Sequence, residues 1–330
     1  MDLRNTIRQP DPVAGARILG LGSSQPDRIV TNDELAQRVE TNDEWIRSRV
    51  GIAERRFAAE SDTVVSMGAD AGSKALADAG LSPSDLDAVV VATCTMPTPI
   101  PNAAAQLADR IGVNGIGAMD LNAACAGFCY GTGVAADMIR SGTARHVLVV
   151  GSEKLSDWLD MDDRSVCIIF ADGAGAAVLG PAGTPEEVGV GPVAWGAAGD
   201  LVSTIGIDEK NYLRQEGQAV FRWATTKIAP VAMEALDKAG LTPADVDVLV
   251  PHQANLRIVE AIAKKLKSEG AREDLVVADD IVHSGNTSSA SIPLAIDHMR
   301  GAGRVRSGDV ALIVGFGAGL SYGGQVVVLP

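Results

Sequence analysis

The sequence ALADAGLSPSDLDAVV at residues 75–90 returns 160 positions later as ALDKAGLTPADVDVLV at residues 235–250. The two stretches align without gaps and share nine of sixteen residues. Each reads as the last turns of a helix, a glycine stop, a Ser/Thr-Pro turn and an apolar strand buried on both faces. A helix cap alone would repeat Ala-Gly-Leu, but not the whole string. Other pairs keep nearly the same offset. Arg140-Ser141-Gly142 ahead of a strand at 146–150 matches Arg306-Ser307-Gly308 ahead of one at 310–314, and 175–179 echoes 324–329. The chain therefore reads as an α/β protein built from two related halves, 1–181 and 182–330, packed about a pseudo-twofold axis.

The bulk properties bound what such a protein does. With 330 residues, 46% hydrophobic content and a mean hydropathy of +0.14, the chain has material for a large core. Aromatic content of 4% points to close packing between small side chains. No apolar run approaches the ~20 residues of a membrane span. Residues 1–12 are polar, lack the apolar region of a signal peptide and read as a loose arm. The four cysteines, Cys94, Cys125, Cys129 and Cys167, have neither CxxC spacing nor the density of a secreted scaffold, so a reducing cytoplasm is expected and no metal site. A net charge of −14 argues against a nucleic-acid partner. It also makes the cluster Arg222, Arg257, Lys264, Lys265 and Lys267 stand out; Arg257, Lys264 and Lys265 fall on one predicted helix.

The first half predicts strands at 16–22 and 88–93 and helices at 32–39, from 41 onward and at 66–79. The stretch GAMDLNAACAGFCYG at residues 117–131 predicts a strand at 117–124 and a helix at 129–141. Cys125 sits between them among Ala124, Ala126 and Gly127, small neighbours that allow a sharp turn and a close substrate. A thiol at a helix N-terminus is favoured as thiolate. A buried structural cysteine has the same neighbours. Cys94 and Cys167 are expected inside apolar strands. In the second half, Pro251-His252-Gln253-Ala254-Asn255 follows a strand, and residues 283–291 match the Cys125 turn. Thus a thiol, an imidazole and an amide converge from three places at strand ends, where open α/β sheets hold ligands.

Three segments, ACAGF at 124–128, PHQANLRI at 251–258 and GNTSSAS at 285–291, resemble the signatures of β-ketoacyl-acyl carrier protein synthase III. The resemblance runs from about residue 16 to 330 and includes GFGAG at 315–319. It implies the thiolase-like duplicated α/β/α/β/α five-layer fold and a decarboxylative Claisen condensation. Cys125 would take an acyl group from acyl-CoA. His252 and Asn286 would hold the thioester oxygen of malonyl-acyl carrier protein as carbon dioxide leaves. The backbone amides of Cys125 and Ala318 would form the oxyanion hole. The resemblance further implies a homodimer with no permanently bound cofactor, using acyl-CoA and malonyl-acyl carrier protein as substrates.

By the same resemblance, Trp45 and Arg49 would stack on adenine, with Arg164 near the nucleotide phosphates and Asn255 in the CoA site. Ile100 and Phe221 would shape the acyl pocket, Ile100 as the end wall of the partner's pocket. Arg222, Arg257, Lys264 and Lys265 would receive the acidic carrier protein. Two departures concern the starter group. Residues 199–218 are fewer than the family pattern suggests, and Ile100 stands where acetyl-selective members have an aromatic residue. Alternatives are acyl transfer to an alcohol or amine, and priming of a polyketide with an unusual starter. A non-degradative thiolase is disfavoured because 317–319 lacks a second cysteine, and a non-catalytic acyl-binding subunit because Cys125 is present.

Overall fold

The computed structural model describes residues 13–330; the reading of residues 1–12 as a loose arm lies outside the described residues. Ten strands form two five-stranded mixed sheets. The first contains β1 (Gly15–Ser24), β2 (Ala88–Ala92), β3 (Gly117–Leu121), β4 (Val147–Lys154) and β5 (Asp172–Ala182), in the order β1-β5-β4-β2-β3. The second contains β6 (Ala194–Ala197), β7 (Val248–Pro251), β8 (Val276–Val277), β9 (Val310–Gly317) and β10 (Ser321–Val328), in the order β6-β10-β9-β7-β8. The orders are the same once β1 is matched to β6, β2 to β7 and so on. Within each sheet, the four pairings read in that order are antiparallel, antiparallel, parallel and parallel.

The repeated string explains itself locally. In both copies the aspartate of Ser/Thr-Pro-x-Asp turns back on its own cap: Asp85 accepts the Ser82 N–H at 2.8 Å and Asp245 the Thr242 N–H at 2.8 Å. The second aspartate ties the start of β2 or β7 to the neighbouring strand. Asp87 accepts the Arg145 N–H at 2.7 Å, and Asp247 the Val310 N–H at 2.9 Å.

Seven helices frame the sheets: α1 (Asp43–Val50), α2 (Val64–Asp78), α3 (Ala103–Arg110), α4 (Gly127–Arg140), α5 (Gly217–Ala239), α6 (Leu256–Ser268) and α7 (Ser291–Gly301). Alternate residues of each apolar strand face opposite layers. Val90, Val149, Val250 and Ile313 meet Phe128 and Ile139 of α4 and Ile292 and Ile296 of α7 in a central layer. Val89, Val91 and Leu148 pack on α2 and α3; Leu249, Leu312 and Val314 pack on α5 and α6. The result is five layers, α/β/α/β/α. Each such fully buried side chain contributes roughly 1.5–3 kcal/mol, which is why these strands are apolar on both faces.

Two local expectations differ from the fold. Cys94 lies in the loop after β2, and Cys167 ends a short helix, Arg164–Cys167, rather than a strand. The apolar string around 166–170 packs in a cluster with residues of the 43–57 region rather than in a sheet. Around Cys125, β3 stops at Leu121 and α4 begins at Gly127, two residues earlier than predicted.

Candidate active site

Cys125 sits in a tight helical turn, Ala124–Ala126, between β3 and α4. Ala124 has φ 46°, a left-handed conformation that small side chains tolerate best. The matched loop of the second half bends the same way, with Ser288 at φ 52°. The two sharp turns therefore face each other across the pseudo-twofold axis, one carrying the thiol and the other Ser288. Gly317, at the end of β9, presses against this point: a Cβ there would lie 2.7 Å from Cys125 Cβ and 2.8 Å from its Sγ.

His252 follows β7 and is fixed by its N–H, which donates to Val314 O at 2.8 Å. Its Nδ1 is 2.7 Å from Ser291 Oγ, which also accepts the Gln253 N–H at 3.3 Å. The ring meets Phe316 edge-on, with centroids 5.3 Å apart. Asn286 is held by backbone bonds to Ile169 O and from Ala171 N, both 2.9 Å. Its Oδ1 accepts the Ser288 N–H at 2.9 Å, so the amide Nδ2 is left to donate to the cavity that Asn286 lines.

Burial pushes the Cys125 thiol up to about 12 and holds His252 down to about 3. At neutral pH the pair is thus a thiol and an uncharged imidazole. Burial therefore works against the thiolate that the helix end favours. The sulfur faces a cavity wall shared with Ala124, Gly317 and Phe316, and desolvation is the largest influence on the thiol.

Cys125, His252 and Asn286 open into one cavity of about 660 Å³. Trp45, Arg49, Arg164, Phe221, Arg222, Asn255, Arg257 and Ala318 line the same cavity. The Arg164 guanidinium lies 4.5 Å from the Trp45 ring centre and that of Arg49 lies 5.6 Å from it, while Arg257 stands 5.1 Å over Phe221. Among the described residues none of the four arginines has an ion-pair partner. Asn255 uses its side chain to cap α6, accepting the Arg257 N–H at 3.0 Å and donating to Arg49 O at 3.2 Å. It thereby joins the end of α1, which presents Trp45 and Arg49, to the start of α6.

Three expected residues lie outside this cavity. Ile100 is 80% exposed on the arm after β2. Lys264 and Lys265 lie on the exposed face of α6, where Lys265 pairs with Glu269. The sequence reading also passed over residues that the fold brings in. Cys94 and Ser288 line the cavity, Glu153 lies behind them, and the hairpin Ile205–Ile207/Leu213–Gln215 supplies Ile205, Leu213 and Gln215 to the wall. An acid inside the apolar string VLVVGSEK was a legible sign for Glu153; for Ser288 the sign was its match to the Cys125 turn.

Two matched five-stranded sheets around a central helix pair, with the thiol at a strand-to-helix turn, define the thiolase-like class of condensing enzymes. Residues 119–199 match the family model of 3-oxoacyl-[acyl-carrier-protein (ACP)] synthase III, and residues 236–329 match that of its C-terminal region. The chain is 50% identical over 325 residues to mycobacterial beta-ketoacyl-[acyl-carrier-protein] synthase III of Mycolicibacterium paratuberculosis, covering 95% of each. It is 48% identical over 317 residues to beta-ketoacyl-[acyl-carrier-protein] synthase III 4 of Streptomyces coelicolor, covering 96% of this chain and 99% of the relative. The crystal structure of the priming β-ketosynthase from the R1128 polyketide biosynthetic pathway superposes with a TM-score of 0.93 at 42% identity, over 99% of each chain. The chain belongs to the 3-oxoacyl-acyl carrier protein synthase III family.

Proposed function

We propose that this chain condenses an acyl-CoA starter with malonyl-acyl carrier protein to give β-ketoacyl-acyl carrier protein, initiating fatty-acid or polyketide chains. The observation that carries the reading is the single cavity into which Cys125, His252 and Asn286 open, with Trp45 and four arginines around it. In this reading residues 1–181 are the half that carries the nucleophile and 182–330 the half that carries His252 and Asn286. In loading, the Cys125 thiol gives up its proton, its sulfur bonds the acyl carbon, and CoA leaves as its thiol. The oxyanion that forms needs fixed N–H donors, for which the backbone amides of Cys125 and Ala318 are suited, since Gly317 packs directly on Cys125. Trp45 and Arg49 suit the adenine ring, and Arg49 with Arg164 suits phosphate, because guanidinium both stacks and pairs with anions. Asn255 acts here by joining α1 to α6.

After loading, malonyl-acyl carrier protein enters and its carboxylate departs as carbon dioxide. The electron pair passes to the thioester oxygen as an enolate, which then attacks the Cys125 thioester and releases the sulfur. Enolate charge calls for donors that carry no charge of their own to lose. Ser291 Oγ already accepts the Gln253 N–H, so its proton is free for His252 Nδ1, which leaves the imidazole proton on Nε2. Asn286 Nδ2 supplies the second donor. The low basicity of His252 keeps it a neutral donor at working pH.

Arg222 and Arg257 at the cavity wall, with Lys264 and Lys265 on α6, suit an acidic carrier protein. A homodimer is supported by β3, a sheet edge without a partner strand among the described residues and with Met119 39% exposed, and by exposed Ile100 nearby in sequence. There Ile100 would end the partner's acyl pocket, with Phe221 in the wall of this chain's own. A cytoplasmic setting suits a reaction that needs Cys125 reduced. A second reading, priming of a polyketide rather than a fatty acid, is favoured by the likeness to the R1128 priming ketosynthase.

Intact-mass spectrometry after incubation with acetyl-, branched and medium-chain acyl-CoAs, followed by malonyl-acyl carrier protein, tests both steps. The expected result is an acyl adduct on Cys125 that is discharged as β-ketoacyl-acyl carrier protein. An adduct on Cys94 or Cys129 instead, or no adduct with any starter, overturns the reading.

A further inference from the structure

The strand VLVVGSEK, residues 147–154, is mostly apolar, yet near its end it buries the whole side chain of Glu153. A carboxylate out of water is tolerated only where donors surround it, and here they come from both halves of the chain. From the first half, Oε2 accepts from Thr95 Oγ1 at 2.6 Å, from Thr93 Oγ1 at 3.2 Å and from the Cys94 N–H at 3.1 Å. Both threonine hydroxyls have their direction set. Thr95 Oγ1 already accepts the Lys154 N–H at 3.0 Å and Thr93 Oγ1 the Thr95 N–H at 3.3 Å, which leaves each hydroxyl proton for Glu153. From the second half, Oε1 accepts from Ser289 Oγ at 2.8 Å and from Ser288 Oγ at 3.1 Å.

Ser288 is the informative partner. Its φ of 52° is left-handed, a conformation that a side chain other than glycine adopts only where its surroundings hold it. The strand of Glu153 supplies that hold twice over. Gly151 packs directly on the next residue of the turn, where an added Cβ would stand 2.4 Å from Ser289 O, and Glu153 takes both serine hydroxyls. Held this way, the Ser288 N–H donates to Asn286 Oδ1 at 2.9 Å. That bond decides which end of the Asn286 amide meets the cavity. An amide without it is free to turn Oδ1 outward, and the oxygen lone pairs would then oppose an enolate instead of stabilising one. The path from Glu153 Oε1 to the Ser288 hydroxyl, and from the Ser288 N–H to Asn286 Oδ1, is made of two hydrogen bonds joined through one residue.

We propose that Glu153 is a positioning residue for Asn286: acting through Ser288, it keeps the Asn286 amide turned with Nδ2 toward the thioester oxygen of the malonyl substrate. The inference rests on the reading of Asn286 as a donor to the enolate. Glu153 touches no substrate and moves no proton in this role. It ties the turn that orients Asn286, in the second half, to residues 93–95 of the first, the half that carries the nucleophile.

A Glu153 that only stabilises the fold would lower both half-reactions together; a positioning Glu153 separates them. In Glu153→Ala, carbon dioxide release from malonyl-acyl carrier protein on the acylated enzyme should fall at least about tenfold in kcat, the scale of a misplaced catalytic group, with KM for the carrier protein and the rate of acyl loading little changed. Glu153→Gln should recover most of that loss. Its carbonyl oxygen can still accept from Thr93, Thr95 and Cys94, and its amide can donate to the hydroxyls of Ser288 and Ser289. In an Asn286→Ala background, Glu153→Ala should cost nothing further, because the group it positions is gone. Equal losses in loading and decarboxylation, a Glu153→Gln as impaired as Glu153→Ala, or a further loss in the Asn286→Ala background overturns the inference. The crystal structure of Glu153→Ala reads the same point without substrate: the Asn286 Oδ1 to Ser288 N contact should open beyond hydrogen-bond reach, and an unchanged contact overturns the inference. If Glu153→Ala does not fold, Ser288→Ala is read in the same two ways, and wild-type decarboxylation with an unchanged contact overturns it. A wild type that neither loads an acyl group nor releases carbon dioxide refutes the proposed function instead, and the crystal structure then decides the positioning by itself.

Discussion

Gly317→Ala tests the geometry around the nucleophile more sharply than any charged substitution. Gly317 has φ −178°, extended backbone open to any residue, so the glycine is required by contact and not by conformation. An added Cβ would stand 2.7 Å from Cys125 Cβ, 2.8 Å from Sγ and 3.0 Å from Cys125 N. None of these atoms is the end of a flexible side chain. Ala124 at φ 46° fixes the turn on one side, and Gly127 is blocked on the other, where its own Cβ would lie 2.8 Å from Ala92 Cβ. Either the turn or the end of β9 must move, and both carry an amide of the proposed oxyanion hole. Losing one such donor is worth about 10²–10³ in rate, and overpacking destabilises by about 1–3 kcal/mol. The expected outcome is a fall of about 10²-fold or more in the rate of acyl-enzyme formation, followed by rapid-quench intact mass, with a folded protein of lower Tm. Gly301→Ala serves as a control, since its added Cβ meets nothing within 4 Å. Loading at the wild-type rate by Gly317→Ala would refute the placement of the thiol against β9.

Four further outcomes follow from the site. His252→Ala and Asn286→Ala should each lower malonyl decarboxylation by about 10²-fold and self-acylation by less, measured as carbon dioxide release and adduct formation; equal losses in both would make His252 the base for Cys125. Burial holds His252 below its unfolded value of 6.5, so the unfolded chain binds the extra proton; the stability that neutral His252 confers is present above pH 6.5 and lost as pH falls toward 3. The stability difference between wild type and His252→Gln, from denaturant melts, should therefore shift against the wild type across that window, and a constant difference would contradict it. Lys264→Glu with Lys265→Glu should raise KM for malonyl-acyl carrier protein, and flatten its salt dependence, more than KM for acyl-CoA. Ile100→Phe should lower kcat/KM for starters larger than acetyl, by about fourfold per displaced methylene, while sparing acetyl-CoA; an unchanged ranking would place the pocket wall elsewhere, with the 205–215 hairpin the next segment to vary.

Much of the fold was legible in one string read twice. Residues 75–90 and 235–250 carry helix end, capped turn and two-faced apolar strand in local chemistry, and Asp85/Asp245 and Asp87/Asp247 make the same bonds in each half. The meeting of Cys125, His252 and Asn286 followed from the same duplication, because matched turns sit at matched strand ends. What sequence position could not convey was environment. Whether Cys125 rests as thiol or thiolate depends on how far its neighbours desolvate the sulfur, which α4, β9 and the 286–291 loop decide together. Cys94 and Cys167 looked alike in sequence, yet one shares a carboxylate behind the cavity and the other ends a short helix. Glu153 and Ser288, 135 residues apart, become partners only when the two halves close on each other. Local sequence fixes backbone shape through caps, turns and periodicity; desolvation and long-range hydrogen bonds belong to the packed molecule, and they set the protonation states on which the chemistry depends.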